Sequence, residues 1–237
     1  MRRTTAQLEI AFAPRRKHPR WGGKRPGAGR KRSPTSGVRH GARPLLASRH
    51  PVHVSLKVRS EVGSLRSPRS FAALRAALVA GCEQAGFRVC QFSVLATHIH
   101  LVVEAKDREA LSRGIQGLMI RMARQLNRAL GRCGRVFTDR YYARVLKTPR
   151  EVRNCLAYVL NNDQRHRLGK RPGLRALELD PCSSAPTFDG WRVQPLVRPR
   201  DTGPPAVVPP QTWLLATGWR RHGLLVPAYV SQTSVRE

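Results

Sequence analysis

The sequence is short of acid. Asp and Glu number 14 among 237 residues, against 44 Lys and Arg, so the formal net charge is +30. A chain with so few carboxylates cannot neutralise itself and calls for an acidic partner. Nucleic acid is the partner such a surface favours, because phosphate contacts release condensed counterions. Long apolar runs are missing too. No stretch approaches the roughly 18–20 apolar residues that span a bilayer, and the basic residues are spread rather than clustered beside one anchor, which argues against a membrane surface. The basic N-terminus lacks the apolar stretch of a signal peptide, so a cytoplasmic location is expected. Cysteine is sparse and unpaired in pattern. Cys82, Cys90, Cys133, Cys155 and Cys182 are odd in number and widely spaced, with no C-x-x-C pair. That excludes a zinc ribbon or finger of the usual spacing and suits a reducing compartment.

Charge divides what is present into three parts. Residues 1–50 carry 14 Lys and Arg and one acid, Glu9. Their Gly/Pro/Arg stretch, with Lys24, Arg25, Arg30, Lys31 and Arg32, has too few apolar residues to offset the entropy of ordering. It reads as a flexible basic arm, suited either to a minor groove or to unspecific phosphate contacts. Residues 51–175 carry the periodicity of a fold. Residues 176–237 form an extension rich in proline and then aromatic at Trp213 and Trp219, with Thr212 to Leu225 as a short helix or a packing arm.

Within the middle part, Val52, Val54, Leu56 and Val58 alternate with polar residues as in a strand. Phe71, Leu74, Leu78 and Cys82 recur at helical spacing and stop at Gly86, a C-terminal glycine signal. Phe87 to Leu95 and His98 to Glu104 read as two further strands. A helix after Asp107 places Leu111, Ile115, Leu118, Met122 and Leu126 on one face, with Arg121, Arg124 and Arg128 as a neighbouring stripe. Val136 to Leu146 reads as a fourth strand with a bend. Thr148-Pro149-Arg150-Glu151 starts a last helix, with an N-cap threonine, a first-position proline and a capping-box glutamate. The order strand-helix-strand-strand-helix-strand predicts an α+β fold of the ferredoxin-like, split βαβ kind. Its antiparallel sheet would carry helices on one face and be followed by the Thr148 helix.

Two stretches carry chemistry. In the strand from His98, alternate residues share a face, so His98, His100, Val102 and Glu104 point one way. Two imidazoles about 7 Å apart along a strand can converge on one divalent ion, although two surface histidines would read the same. On the last helix the apolar stripe is Val152, Cys155, Leu156 and Val159. Tyr158 lies about 120° from its centre at 3.6 residues per turn, beside the core and partly exposed, and Asn162 follows on the same face. A phenol attacks a phosphodiester only where the phosphorus is polarised and the leaving oxygen is neutralised, which Mg²⁺ or Mn²⁺ would supply. A third protein ligand is then needed, from Asn162, Glu104 or His166. Tyr141 and Tyr142 are rival nucleophiles in a strand, where one of the two must face the core.

These residues bring a family into view. Ser93 to Glu104 resembles the HUH strand of single-tyrosine transposases of the insertion-sequence type, in the REP-associated tyrosine transposase (RAYT) branch or a close relative. Arg153 to Asn162 is similar to that branch's Tyr-x-x-x-Asn helix, and Gly134 to Tyr141 to its glycine-aromatic-arginine stretch. The likeness spans roughly residues 50–170, with one departure: Asp163 stands where relatives commonly have proline. The resemblance implies that Tyr158 is the nucleophile, that His98, His100 and Asn162 hold the metal, and that single-stranded DNA is cut through a 5′-phosphotyrosine link. It also implies a homodimer, hairpins beside the cut sites, and a prokaryotic, nucleoid-associated setting. Arg121, Arg124 and Arg128 become backbone contacts. The alternatives are a domesticated relative that binds hairpin DNA or RNA without cutting it, and a basic RNA-associated protein of the ribosomal type.

Overall fold

A computed structural model of the protein describes residues 45–162, 179–193 and 203–227. The elements run β1 (Val52–Lys57), α1 (Pro68–Val79), β2 (Glu83–Gln84), β3 (Phe87–Val94), β4 (His98–Ala105), α2 (Arg108–Leu130), β5 (Tyr142–Val145), α3 (Pro149–Leu160) and α4 (Trp213–Ala216). All five strands join one antiparallel sheet in the order β2-β3-β4-β1-β5. With the two-residue β2 set aside, this is the ferredoxin-like arrangement that the element order predicts.

Alternation along β1 decides what the sheet faces. Val52, Val54 and Leu56 are buried on one face, while His53, Ser55 and Lys57 take the other. On the first face α1 and α2 pack Leu74, Leu78, Ile115, Leu118 and Met122 against Ile99, Leu101 and Val103. The buried stripe of α2 is the one its helical spacing predicts. Helix and sheet approach so closely that a Cβ at Gly114 would lie 2.2 Å from Phe87 Cγ. The register of β3 slips between Val89 and Gln91. This bulge returns Phe92 and Val94 to the core and turns Cys90 to the opposite face.

The helix starts follow their sequence signals. Ser67 caps α1 ahead of Pro68, and Asp107 caps α2 through a 2.7 Å bond from Ala110 N. Thr148 and Glu151 close a full capping box around Pro149 on α3. Two boundaries differ from expectation. Helix α1 ends at Val79 rather than at Gly86. The chain turns back at Ala80–Gly81 to form β2, and the positive φ of Gly86, 74°, serves the turn into β3 instead. The expected strand over Val136 to Leu146 is reduced to an isolated bridge from Phe137 to Val58 and the four residues of β5.

The second face is covered by α3 and by the chain beyond it. Val102 and Cys90 meet Val152, Leu156 and Val159, and the same cluster takes in Trp191, Leu214, Leu215, Trp219 and Leu225. Thus the C-terminal part contains both a short helix, α4, capped by Thr212, and a packing arm. It is fastened by polar contacts with the folded core. Arg66 binds the buried Asp180 through two bonds of 2.7 and 3.0 Å. Cys182 and Ser184 pair with Val94 and Phe92 along the free edge of β3. On α3, Arg153 donates to the carbonyls of Gly223 and Leu224, and Asn161 Nδ2 donates to that of Val226. Among the described residues, no helix is long and apolar enough to cross a membrane.

Candidate active site

The site forms where α3 crosses the polar side of β1 and β4. Register places His98 opposite Lys57 and His100 opposite Ser55, while His53 faces Val102. His100 is buried at 6% exposure, and the His98 ring is half-buried with its Nδ1 2.9 Å from Thr97 Oγ1. His53 stands diagonally beside His100. The two rings stack with centroids 5.3 Å apart and planes 24° from parallel. His53 Nε2 lies 3.2 Å from His100 Nδ1. Burial, followed by the charge of Arg144, pushes the His53 pKa down to about 4, so this imidazole is neutral at pH 7.

Tyr158 reaches this pair from α3. Its ring meets His100 edge-on at 5.3 Å and 81°, and His53 at 5.9 Å and 76°. It remains 39% exposed, the partly exposed position beside the apolar stripe that the helix geometry predicts. Asn162 lies four residues on, buried at 2% exposure, and its Nδ2 has no hydrogen-bond partner among the described residues.

Other expected residues fare differently. Glu104 occupies the same face as His98 and His100, but its carboxylate accepts from Gln211 N, Thr212 N and Thr212 Oγ1 at 2.7–2.8 Å. A carboxylate saturated by three donors fastens the arm to the sheet, which removes it as a third ligand. His166 and the basic residues Lys24, Arg25, Arg30, Lys31 and Arg32 lie outside the described residues. Tyr141 is buried in the first core at 7% exposure, whereas Tyr142 is 54% exposed, one strand beyond Ser55 on the site face. Arg121, Arg124 and Arg128 line a shallow groove with Ala77 and Ala80 between α1 and α2, across the sheet from Tyr158.

Sequence reasoning missed His53, Lys57 and Arg144. The first two share the period-2 face of β1, but only the register with β4 sets them beside His98 and His100. Arg144 joins them only through the register of β5 against β1, opposite His53. Chemically, the region combines three strand-borne imidazoles, a partly exposed phenol and, four residues on, a buried amide whose Nδ2 donor has no partner among the described residues. Among the described residues, no group of three or more His, Cys, Asp or Glu is arranged to hold a metal ion. A metal here therefore draws its third donor from another residue type, from the undescribed residues or from the substrate.

No curated protein matches the sequence. A REP-associated tyrosine transposase solved bound to a REP hairpin is 15% identical, with a TM-score of 0.47 over 62% of this chain and 82% of that one. A candidate transposase from Deinococcus radiodurans R1 is also 15% identical, with a TM-score of 0.35 over 47% of this chain and 87% of that one. The family model of IS200-like transposases matches residues 50–162, the stretch that contains the sheet, His53, His98, His100, Tyr158 and Asn162. Over that stretch the chain is similar to the IS200-like transposases.

Proposed function

We propose that the protein cleaves and rejoins single-stranded DNA at hairpin-flanked sites, with Tyr158 as the nucleophile and a divalent ion, Mg²⁺ or Mn²⁺, held by His98, His100 and Asn162. The observation that carries this reading is the edge of the Tyr158 ring over His100, on the H-x-H strand. The residues fit the ion. Two imidazoles on one strand face are nitrogen donors, and with His100 Nδ1 engaged by His53, coordination falls to Nε2. Asn162 would add its side-chain oxygen, the amide atom that ligates a cation; the atom without a partner among the described residues, Nδ2, is a hydrogen-bond donor and not a ligand. Mg²⁺ favours oxygen donors and Mn²⁺ accepts imidazole more readily, so the set suits Mn²⁺ at least as well.

The ion, when bound, polarises the scissile phosphate and stabilises the departing oxygen. Tyr158 Oη, losing its proton, forms a bond to phosphorus as the bond to the 3′ oxygen breaks. The products are a 5′-phosphotyrosine and a free 3′-hydroxyl, and attack by another 3′-hydroxyl reverses the step and joins new ends. Lys57 opposite His98 and Arg144 opposite His53 are exposed and would meet the DNA backbone. Arg121, Arg124 and Arg128 lie on the opposite face and serve a separate stretch of DNA, such as a hairpin stem, as would the basic N-terminal arm. We further place the protein in the cytoplasm, on the nucleoid, as a homodimer.

The test is incubation of the purified chain with single-stranded hairpins from the DNA flanking its gene, with Mg²⁺ or Mn²⁺. A denaturation-resistant protein–DNA adduct is expected, and it disappears in Tyr158→Phe and with chelator. Tight binding without an adduct on any flanking hairpin would replace this reading with that of a non-cutting hairpin-binding protein.

A further inference from the structure

We infer that His53 is a positioning residue of this site, fixing the tautomer and ring plane of His100 so that His100 Nε2 is presented to the metal. The inference rests on the function proposed above and deepens it. Strand alternation brings His53 to the site face, and the β1–β4 register sets it diagonal to His100. The two rings are stacked, with His53 Nε2 3.2 Å from His100 Nδ1. One of these nitrogens must carry the proton and the other accept it. An imidazole that coordinates through Nε2 keeps its proton on Nδ1, so His100 donates and His53 accepts. Metal-bound histidines regularly have such a partner on the second nitrogen, which holds the ring orientation and raises its basicity.

His53 is not itself read as a ligand. Its nitrogen is directed at His100 Nδ1, and no three-residue His, Cys, Asp or Glu group among the described residues is arranged for an ion. The same stacked pair also forms the surface on which Tyr158 rests, with ring centroids 5.3 and 5.9 Å away. His53 thereby ties the orientation of the ligand to the seating of the nucleophile.

The experiment is titration of the full chain with Mn²⁺ alone, without DNA, followed calorimetrically for wild type, His53→Ala and His53→Gln. Alanine should weaken Mn²⁺ binding roughly 10–100-fold, the usual cost of losing such a partner. Glutamine, which places an amide oxygen near the position of Nε2, should recover most of it. In the metal-free protein, imidazole ¹⁵N shifts should show His100 protonated on Nδ1 in wild type and a tautomer mixture in His53→Ala. Unchanged Mn²⁺ affinity in His53→Ala would overturn the inference and leave the proposed function standing, provided wild type binds the ion. A glutamine variant as impaired as alanine, with an unchanged thermal midpoint, would overturn it in favour of direct ligation by His53. Failure of wild type to bind Mn²⁺ would remove the metal site and this inference with it.

Discussion

Along β4, alternation sets Glu104 beside His98 and His100 and marks it as a ligand, but its surroundings give it another task. Two backbone N–H groups and a hydroxyl converge on its carboxylate from Gln211 and Thr212. Glu104→Ala would leave those donors unmatched, and the expected loss is about 2–3 kcal/mol in urea unfolding. Mn²⁺ affinity should fall far less than in His100→Ala. The cysteines sort by the same physics. Four are buried and Cys133 is exposed. Burial pushes the Cys155 thiol up to about 12 and raises Cys90 further, and the thiolate is the reactive form. One maleimide should therefore add rapidly to the native protein, at Cys133, with the remainder reacting only after unfolding. His98, His100 and Tyr158 were legible because short-period patterns assign strand and helix faces. His53 shared that pattern and was missed, because a lone histidine in β1 gains meaning only beside its β4 neighbour.

The elements show where local signals suffice and where they fail. Helix α3 was legible at its start because capping box and proline are written in consecutive residues. What holds its far side was not legible, since Trp191, Trp219 and Leu225 come from a proline-rich segment whose partners lie far back in the chain. Periodicity extends helix α1 too far for the converse reason: Cys82 sits in the same core as the helix but reaches it from the turn after it. Trp219 is 1% exposed beneath α3. Trp219→Ala should cost about 3–5 kcal/mol in chemical denaturation and lower adduct formation at subdenaturing urea, as α3 loses its support. Gly114→Ala should cost about 1–3 kcal/mol, because the added methyl meets the Phe87 ring inside a packed face.

At the scale of the molecule, charge and topology separate two tasks. Under the proposed function, the net charge of +30 should make DNA affinity steeply dependent on salt. The arginine groove between α1 and α2 lies across the sheet from Tyr158, so a DNA that uses both must pass around the domain. Arg124→Ala and Arg128→Ala should weaken hairpin binding and flatten its log–log salt slope by about 1 for each phosphate no longer neutralised. The rate of adduct formation at saturating DNA should be unchanged, which fluorescence titration and single-turnover gels would separate. Net charge is legible in the sequence and points to nucleic acid as the class of partner. That the basic stripe and the phenol stand on opposite faces was beyond the sequence, since it depends on which side of the sheet each helix packs.

The support of α3 also has an order in time. The strand histidines and Tyr158 emerge from the ribosome before the residues that hold them: Glu104 waits for Thr212, and Asn161 for Val226. Until that later chain arrives, the growing polypeptide carries His98, His100 and Tyr158 without the segment that packs against α3. Under the proposed function, a nascent or prematurely terminated product would hold nucleic acid by charge but be a poor nuclease. Synthesis itself would then delay the moment at which a protein made beside its own DNA becomes able to break it.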